Sequence, residues 1–414
     1  MIKDELHIKI CENFKKLNLW FDDKSKNFAF PFYSSYDIRE SEFKVAPVDA
    51  NIFPAGFNNI CSVDQESAVD KVKDYFESHY PGLSGTIALV TEAHTKNAYY
   101  WQNVYTIYTL LQTMGLAVKI AIPSEEKQEA IKVESISGNE LEVNFIYKHD
   151  SSLLINGEKP DFIISNNDFS VIFEDWKSGI EQPMNPPYEL GWYQRRKSQF
   201  FMHYNELAIE FADIIGANPE HLTVHTDAHK NFDINSEESR ESLALKVDSM
   251  ITSLSDKYTK TNIKESPFVF IKNSSGTYGM GIQQVASGDE VRSWTYKARK
   301  KMKAVKGGGS IDELVVQEGI PTVFSDSDET AEPAIYMIGG KLAGGFLRAH
   351  SQKGPRDNLN SPGAIYKKLC ISDLKVRKLE CPMENVYGWV AKLGSVAIAT
   401  EAKKANINFK NYKY

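Results

Sequence analysis

Short apolar runs alternate with helical stripes through the first half of the chain. Residues 86–91 (TIALVT) form an apolar run between a glycine and a glutamate, which predicts a buried strand. Residues 117–122 (AVKIAI) predict the next strand, and residues 99–114 between them have helical spacing. Residues 161–164 (DFII) predict one more strand. This order is typical of a doubly wound α/β layer with a parallel sheet.

The flanking segments predict other kinds of structure. Residues 1–28 have loosely helical spacing and predict one amphipathic helix. Residues 30–59 hold three prolines among aromatic and polar side chains, which favours an ordered loop that lines a site. Residues 126–156 alternate weakly and predict antiparallel strands, whereas residues 216–240 are polar and predict no element. Further helices are predicted at about 64–79, 193–215 and 241–258.

The last third is richer in strands. Residues 268–272, 314–317, 334–338 and 342–347 each predict a strand, and Gly339-Gly340 predicts a hairpin turn between the last two. We therefore predict an N-terminal α/β domain at residues 1–165 and a C-terminal α+β part at residues 166–414.

Composition and charge narrow the class of protein. The chain has 414 residues, 42% apolar and 25% charged, which fits a globular protein of two or three domains. A net charge of -7 does not attract a polyanion, so we expect no nucleic-acid partner. No stretch reaches the ~20 apolar residues of a membrane span, and no secretory signal begins the chain. We expect a cytoplasmic protein, no membrane partner, and reduced, mostly buried thiols at the four scattered cysteines, Cys11, Cys61, Cys370 and Cys381.

The strongest candidate for chemistry is a lysine followed by a glycine-rich loop. Lys272 ends a predicted strand, and residues 273–281 (NSSGTYGMG) follow directly. A lysine there can reach nucleotide phosphates, and free N–H groups of such a loop can bind phosphate oxygens. A glycine-rich turn alone would also suit a hairpin, but the P-loop and protein-kinase patterns are absent. The candidate nucleotide-binding residues here are Lys272, Ser275, Gly276, Thr277, Tyr278, Gly279 and Gly281.

Polar groups at later strand ends extend this hypothesis. Gln317-Glu318 closes a strand and could present its groups to adenine and ribose, although alone it fits an ordinary strand end. Arg348 and Arg356 could neutralise a transferring phosphoryl group. The stretch from Arg356 to Gly363 also fits a turn that caps a strand. Amide and carboxylate oxygens suit Mg²⁺, and the candidate metal ligands are Glu332, Asn358 and Asn360.

The N-terminal polar residues fit an amino-acid substrate. A zwitterion needs cations for its carboxylates and an acid for its ammonium group, and the proline-rich segment offers both. Other polar residues follow the predicted strand 86–91, where α/β sheets bind ligands, and Arg195-Arg196-Lys197 either anchors a carboxylate or solvates a helix start. The candidate substrate-binding residues are Arg39, Lys44, Asp49, Asn51, Asn58, Asn59, Glu92, His94, Asn97, Arg195 and Arg196.

A zinc site is a weaker hypothesis. His221, His225 and His229 are spaced four apart and would share a helix face. The intervening threonines, valine and aspartate make a poor helix, so we do not predict a metal there.

The ordered set of Lys272, the glycine-rich loop, Gln317-Glu318, Arg348 and the two asparagines resembles the ATP-grasp superfamily. More of the chain is similar to the glutamate–cysteine ligases first recognised in acidophilic proteobacteria. The resemblance spans about residues 30–370, and its motifs are residues 44–59 (KVAPVDANIFPAGFNN), 92–97 (EAHTKN), 166–170 (NNDFS) and 191–197 (GWYQRRK).

The resemblance implies an ATP-grasp fold preceded by a doubly wound substrate domain. It implies ATP and Mg²⁺ as cofactors and glutamate and cysteine as small-molecule substrates, joined in the first step of glutathione biosynthesis. Glutathione synthetase or another amino-acid ligase is the alternative within this class. A small-acid phosphotransferase and a non-catalytic nucleotide sensor are the alternatives outside it.

Overall fold

The computed structural model describes residues 1–276, 279, 281–302, 313–326, 329–373 and 384–413. Over these ranges it is a mixed α/β protein with three sheets. The strands are β1 (Tyr33–Glu40), β2 (Val45–Asn51), β3 (Thr86–Val90), β4 (Ala117–Pro123), β5 (Ile131–Glu134), β6 (Glu140–His149), β7 (Ser152–Ile155), β8 (Phe162–Ser165), β9 (Met184–Asn185), β10 (Thr226–Lys230), β11 (Val269–Asn273), β12 (Gln283–Val285), β13 (Glu313–Glu318), β14 (Ser325–Asp326), β15 (Glu329–Ile338), β16 (Lys341–His350) and β17 (Ile365–Leu369). The helices are α1 (Ile2–Glu12), α2 (Phe14–Ser25), α3 (Ser62–His79), α4 (Ala98–Gln112), α5 (Lys197–Ile215), α6 (Glu237–Lys260), α7 (Gly288–Arg292), α8 (Tyr296–Met302) and α9 (Val386–Lys404).

The first sheet contains the predicted parallel layer. Its order is β5-β6-β4-β3-β8-β9, and β7 pairs with β6. Strands β6, β4, β3, β8 and β9 run parallel, whereas β5 and β7 run antiparallel to β6. The central strands β3 and β8 are almost entirely buried, as expected when helices cover both faces. Because β4 and β8 lie on opposite sides of β3, the chain first adds parallel strands on one side of β3 and then on the other.

The largest antiparallel sheet includes a segment that the sequence analysis predicted as a loop. Its order is β17-β16-β15-β1-β2, and β14 pairs with β15. The prediction of a loop for residues 30–59 was wrong for β1 and β2, whose polar side chains Asp37, Arg39 and Asp49 line a cavity. This sheet contains strands from both sides of the predicted boundary at residue 165, so the two predicted domains are not separate layers.

The small antiparallel sheet, of order β10-β13-β11-β12, has a core of its own. Apolar side chains of α6 pack on it, among them Leu243 and Val247 against Ile271 and Val316. A separate and much larger core joins the other two sheets. The small sheet and α6 therefore form a distinct unit beside the large sheet.

Helices α5 and α9 pack together, and α9 also packs on the large sheet. A side chain at Gly394 of α9 would come within 2.3 Å of the Tyr36 ring, so glycine permits this close approach. The packing fixes the first residue of α5, Lys197, at the edge of the cavity between the sheets.

Several local expectations need correction. Residues 1–28 form two helices, which meet at Asn13, rather than one. Strand β10 lies in the region where we predicted no element. Cys61 and Cys370 were expected to be reduced, yet their sulfurs are in bonding contact with a Cα–Cα distance of 5.6 Å. The Cys11 sulfur lies 3.3 Å from His7 Nε2, and Cys381 lies outside the described residues. None of the described helices is long and apolar enough to cross a membrane.

Candidate active site

A cavity lies between the small sheet and the large sheet. The first residue of α5, the glycine-rich loop and two asparagines close its sides. Its described lining residues are Asp37, Arg39, Val48, Asp49, Lys197, Phe270, Lys272, Asn273, Gly276, Gly279, Ile282, Glu332, Asn358 and Asn360.

Buried charges of alternating sign form the floor of the cavity on the large sheet. Arg348 donates to Asp37 at 2.7 and 3.1 Å and to Glu332 at 2.7 Å, and Arg39 donates to the other oxygen of Glu332. Burial raises the pKa of Asp37, with Arg348 opposing it. Burial also acts to raise the pKa of Glu332, but Arg39 and Arg348 together hold it below its usual value. Arg348 thus supports two cavity carboxylates and is not among the described lining residues.

Lys272 lies in β11 and lines the cavity. Its ammonium group donates to the Val48 carbonyl at 2.9 Å and to Gln317 Oε1 at 2.7 Å. Burial lowers the pKa of Lys272 to about 8, while Asp49 acts to raise it. A bound anion would restore the charge of this lysine, since an opposite charge favours the protonated form.

Lys197 lines the cavity together with Lys272 and was missed as an individual candidate. Its ammonium group pairs with Asp49 and lies 4.5 Å from the centre of the Trp192 ring. Its backbone N–H donates to the Ser274 carbonyl at 2.8 Å, which links α5 to the glycine-rich loop. Burial acts to raise the pKa of Asp49, but Lys197 and Lys272 hold it below its usual value. The signal was its place in the Arg195-Arg196-Lys197 cluster at a helix start, of which only the two arginines were single candidates.

Gln317 and Glu318, at the end of β13, have different hydrogen-bond partners. Gln317 accepts from Lys272, so it supports the cavity lysine. Glu318 accepts two hydrogen bonds of 2.7 Å from Lys44 and one of 3.1 Å from Tyr258. Lys44 and Glu318 are both buried and are not among the described lining residues. The structure therefore places Lys44 in a buried ion pair with another candidate.

The glycine-rich loop is described only in part, since Thr277 and Tyr278 lie outside the described residues. Ser275 donates its backbone N–H to Asn273 Oδ1 at 3.1 Å, and Gly276 lines the cavity. Gly279 and Gly281 both have left-handed backbone conformations. A Cβ at Gly279 would lie 2.2 Å from the Asn360 carbonyl oxygen, so this contact requires glycine.

The three candidate metal ligands all line the cavity. Asn360 donates its N–H to Asn358 Oδ1 at 3.1 Å, which orders the turn that carries both amides. Glu332 reaches the same cavity from β15. Carboxylate and amide oxygens are hard donors, so this set fits Mg²⁺.

The candidate arginines have partners within the protein. Arg39 lines the cavity, but it donates to Glu332 and to the carbonyls of residues 355 and 357 at 2.9 and 2.7 Å. Arg195 pairs with Glu401 of α9 at 3.0 Å, and Arg196 donates to the Arg195 carbonyl. Arg356 lies 4.2 Å from the Phe268 ring centre. None of the last three is among the lining residues that the structure describes.

The remaining substrate candidates lie in two other places. Asn51 shares the cavity face of the large sheet with Asp49, and Asn58 and Asn59 follow in the segment before α3. Glu92, His94 and Asn97 lie past the end of β3. Glu92 Oε1 accepts from the Asp168 backbone N–H, the His94 ring meets Tyr100, and Asn97 caps α4.

The three histidines do not converge. His221 lies in a short 3-10 helix, His225 pairs with Glu220 at 2.8 Å, and His229 lies in β10. Within the described chain they form no metal-binding cluster.

The fold and the cavity define a mixed α/β protein with a cleft lined by cationic side chains beside carboxylate and amide oxygens. A family model described as GshA, glutamate–cysteine ligase, matches residues 8–402. The chain belongs to this glutamate–cysteine ligase family, and its activity is the ligation of glutamate to cysteine in glutathione biosynthesis.

A solved structure agrees with this family. The crystal structure of a candidate gamma-glutamylcysteine synthetase from Methylobacillus flagellatus KT is 32% identical, covers 97% of this chain and 96% of its own, and has a TM-score of 0.87. D-alanyl-alanine synthetase A from Vibrio cholerae is 13% identical over 79% of this chain and 81% of its own. Its TM-score is 0.34, so it carries no argument. No curated protein matches significantly.

Proposed function

We propose that the chain uses ATP to join the γ-carboxylate of glutamate to the amine of cysteine on an ATP-grasp fold. The products are γ-glutamylcysteine, ADP and phosphate. The observation that carries this proposal is the cavity between two antiparallel sheets, which is lined by Lys272 and Lys197 together with Glu332, Asn358 and Asn360. A cytoplasmic location stays a prediction of the sequence.

The chemistry requires that two anions be held together. A carboxylate is a poor electrophile, and transfer of the γ-phosphoryl group of ATP converts it into an acyl phosphate, which the amine then attacks with release of phosphate. At ~4 Å two unit charges repel by ~4 kcal/mol at an effective dielectric of 20. Lys272 and Lys197 offset this repulsion because both ammonium groups lie in the cavity.

Glu332, Asn358 and Asn360 would hold Mg²⁺, which neutralises charge on phosphate oxygens when it is bound. The glycine-rich loop closes over the phosphates and excludes water from the acyl phosphate. Its backbone N–H groups add donors for the phosphate oxygens.

The amino-acid substrates lie along the large sheet next to the lysines. Asp37, Asp49 and Asn51 are on one face because paired and alternate strand positions point to the same side. The carboxylates pair with substrate ammonium groups, and Lys197 pairs with a substrate carboxylate. The segment that carries Asn58 and Asn59 borders this surface.

A phosphate-release assay tests the proposal. We expect release only when glutamate, cysteine, ATP and Mg²⁺ are all present, with γ-glutamylcysteine identified by mass spectrometry. Turnover with glutamate alone would indicate a phosphotransferase, and ATP binding without phosphate release would indicate a sensor. A matched Lys272→Ala preparation controls for contaminating phosphatase.

A further inference from the structure

A pair of cysteines outside the cavity joins two parts of the chain that are distant in sequence. We propose that Cys61 and Cys370 form a thiol–disulfide exchange site for small-molecule thiols and disulfides, and that its oxidised form holds residues 52–60 against the edge of the large sheet. The sulfurs are in bonding contact although 309 residues separate them. We call this pair of cysteines the clasp.

The surroundings of the clasp suit exchange chemistry. Cys61 is 3% exposed and directly precedes α3, whereas Cys370 is half-buried after β17. An external thiolate can therefore reach the Cys370 sulfur more easily. Cys61 is then the leaving thiolate, and the N-terminus of the 18-residue helix α3 stabilises it.

The exchange balances in two steps. A small thiolate attacks Cys370 Sγ, the Cys61–Cys370 bond breaks, and a mixed disulfide forms on Cys370. A second small thiolate attacks the outer sulfur of this mixed disulfide and releases the Cys370 thiolate and a small disulfide. The protein gains two electrons, and two small thiols lose one each. Cysteine and γ-glutamylcysteine both belong to this class of thiol.

The clasp connects the candidate substrate surface to an edge strand. Residues 52–60 include Asn58 and Asn59 and cover the large sheet, where the Phe57 ring packs against Tyr336 at 5.6 Å. Strand β17 is the outer strand of that sheet and is exposed over much of its length. Opening the clasp removes the covalent link between the two and leaves only weaker contacts.

A metal site is the competing explanation for this cluster. One ligand atom each of Cys61, Cys370 and Asp64 lies within 4.8 Å of the others. The direct contact between the sulfurs favours a disulfide, because two thiolates that share a metal keep the ion between them. Asp64 is also engaged, since its carboxylate accepts from the Ile371 N–H at 2.8 Å.

The chemistry is tested in a full-length variant that carries Cys11→Ser and Cys381→Ser, so that only the clasp thiols remain. We expect no free thiol in the denatured protein after equilibration with cystine and two after dithiothreitol, with an intact mass that changes by two hydrogens. Two thiols that stay free after cystine would overturn the exchange site. One equivalent of zinc retained by the reduced protein would replace it with a metal site.

The structural role is tested on the same two preparations by hydrogen exchange. If residues 52–60 leave the sheet for about four-fifths of the time in the reduced form, only about one-fifth of the molecules can bind glutamate. The Kd for glutamate then rises about fivefold. We expect faster exchange in residues 52–60 of the reduced form and this weaker binding by calorimetry with a non-hydrolysable ATP analogue. In the same background, Cys61→Ser/Cys370→Ser should show the hydrogen exchange and glutamate binding of the reduced form, and cystine should change neither.

Equal hydrogen exchange in residues 52–60 and equal glutamate binding in both forms would overturn the proposal that the disulfide holds this segment. The expected effect on glutamate rests on the proposed function. Absence of glutamate binding in both forms would contradict that function, while thiol counting and hydrogen exchange would still decide the clasp.

Discussion

Replacement of Lys44 distinguishes a substrate-binding lysine from a structural one. The Lys44 ammonium group donates to both oxygens of Glu318 at 2.7 Å and to the Thr223 carbonyl at 2.8 Å. The side chains of Lys44 and Glu318 are 2% and 0% exposed. Lys44→Met would leave the Glu318 carboxylate buried with hydrogen bonds but no counter-charge. We therefore expect a loss of stability with little change in the KM for glutamate.

The magnitude follows from the burial of the pair. Removal of one partner of a buried ion pair costs about 3–5 kcal/mol. Glu318 keeps hydrogen bonds from Tyr258 and from the His225 backbone N–H, both at 3.1 Å, so we expect about 3 kcal/mol. For 414 residues the unfolding entropy is roughly 0.9 kcal/mol/K, which converts this loss to a Tm decrease of about 3–4 °C.

Thermal denaturation and glutamate kinetics are measured on Lys44→Met and on Lys44→Met/Glu318→Gln. The double variant should recover most of the lost stability, because it removes the unpaired charge as well. A single variant with wild-type Tm and a tenfold higher KM for glutamate would refute the structural interpretation. Lys44 would then be a substrate ligand, as the charged side chains of the proline-rich segment predicted.

Three further predictions concern the cavity. Lys272→Ala should keep the fold and lose most activity, because ATP binding is weakened. In the wild type, kcat/KM for ATP should fall as pH rises through about 8, where Lys272 of the free enzyme loses its proton. Lys272→Arg should move this fall to higher pH. Wild-type ATP kinetics in Lys272→Ala would contradict its role. Gly279→Ala should lower kcat without lowering Tm, because the new methyl group meets the Asn360 carbonyl; unchanged turnover would show that the loop adapts. Removal of Mg²⁺ with EDTA should abolish turnover. Asn360→Ala should raise the Mg²⁺ concentration that gives the half-maximal rate. If the Mg²⁺ dependence of this variant is unchanged, Asn360 is not a metal ligand.

The parallel layer could be predicted because its strands are continuous apolar runs. Strands β3 and β8 are buried on both faces, so their sequences differ clearly from their surroundings. Strands β1 and β2 gave no such signal, since Asp37, Arg39 and Asp49 face the cavity. Pro47 also argued against a strand, although it lies in an edge strand next to a register shift where proline is tolerated.

Some residues of the candidate site could be selected from the sequence, and the surroundings of others could not. Lys272 and the two asparagines could be selected because each lies next to a recognisable strand end or turn, and all three line the cavity. Their roles stay predictions. The surroundings of a cation were not predictable when its partner is distant in sequence. Lys44 is 274 residues from Glu318, and Arg195 is 206 residues from Glu401. A charged side chain in such a pair looks like a free ligand until the fold is known.

The pairing of β1 with β15 has a consequence for synthesis of the chain. Asp37 is made early, but its partner Arg348 is 311 residues away and leaves the ribosome much later. Until then β1 and β2 present an unpaired edge, which is a template for wrong strand pairing. Chaperones should therefore matter most during elongation, and chains that terminate before β15 should aggregate rather than accumulate as folded fragments.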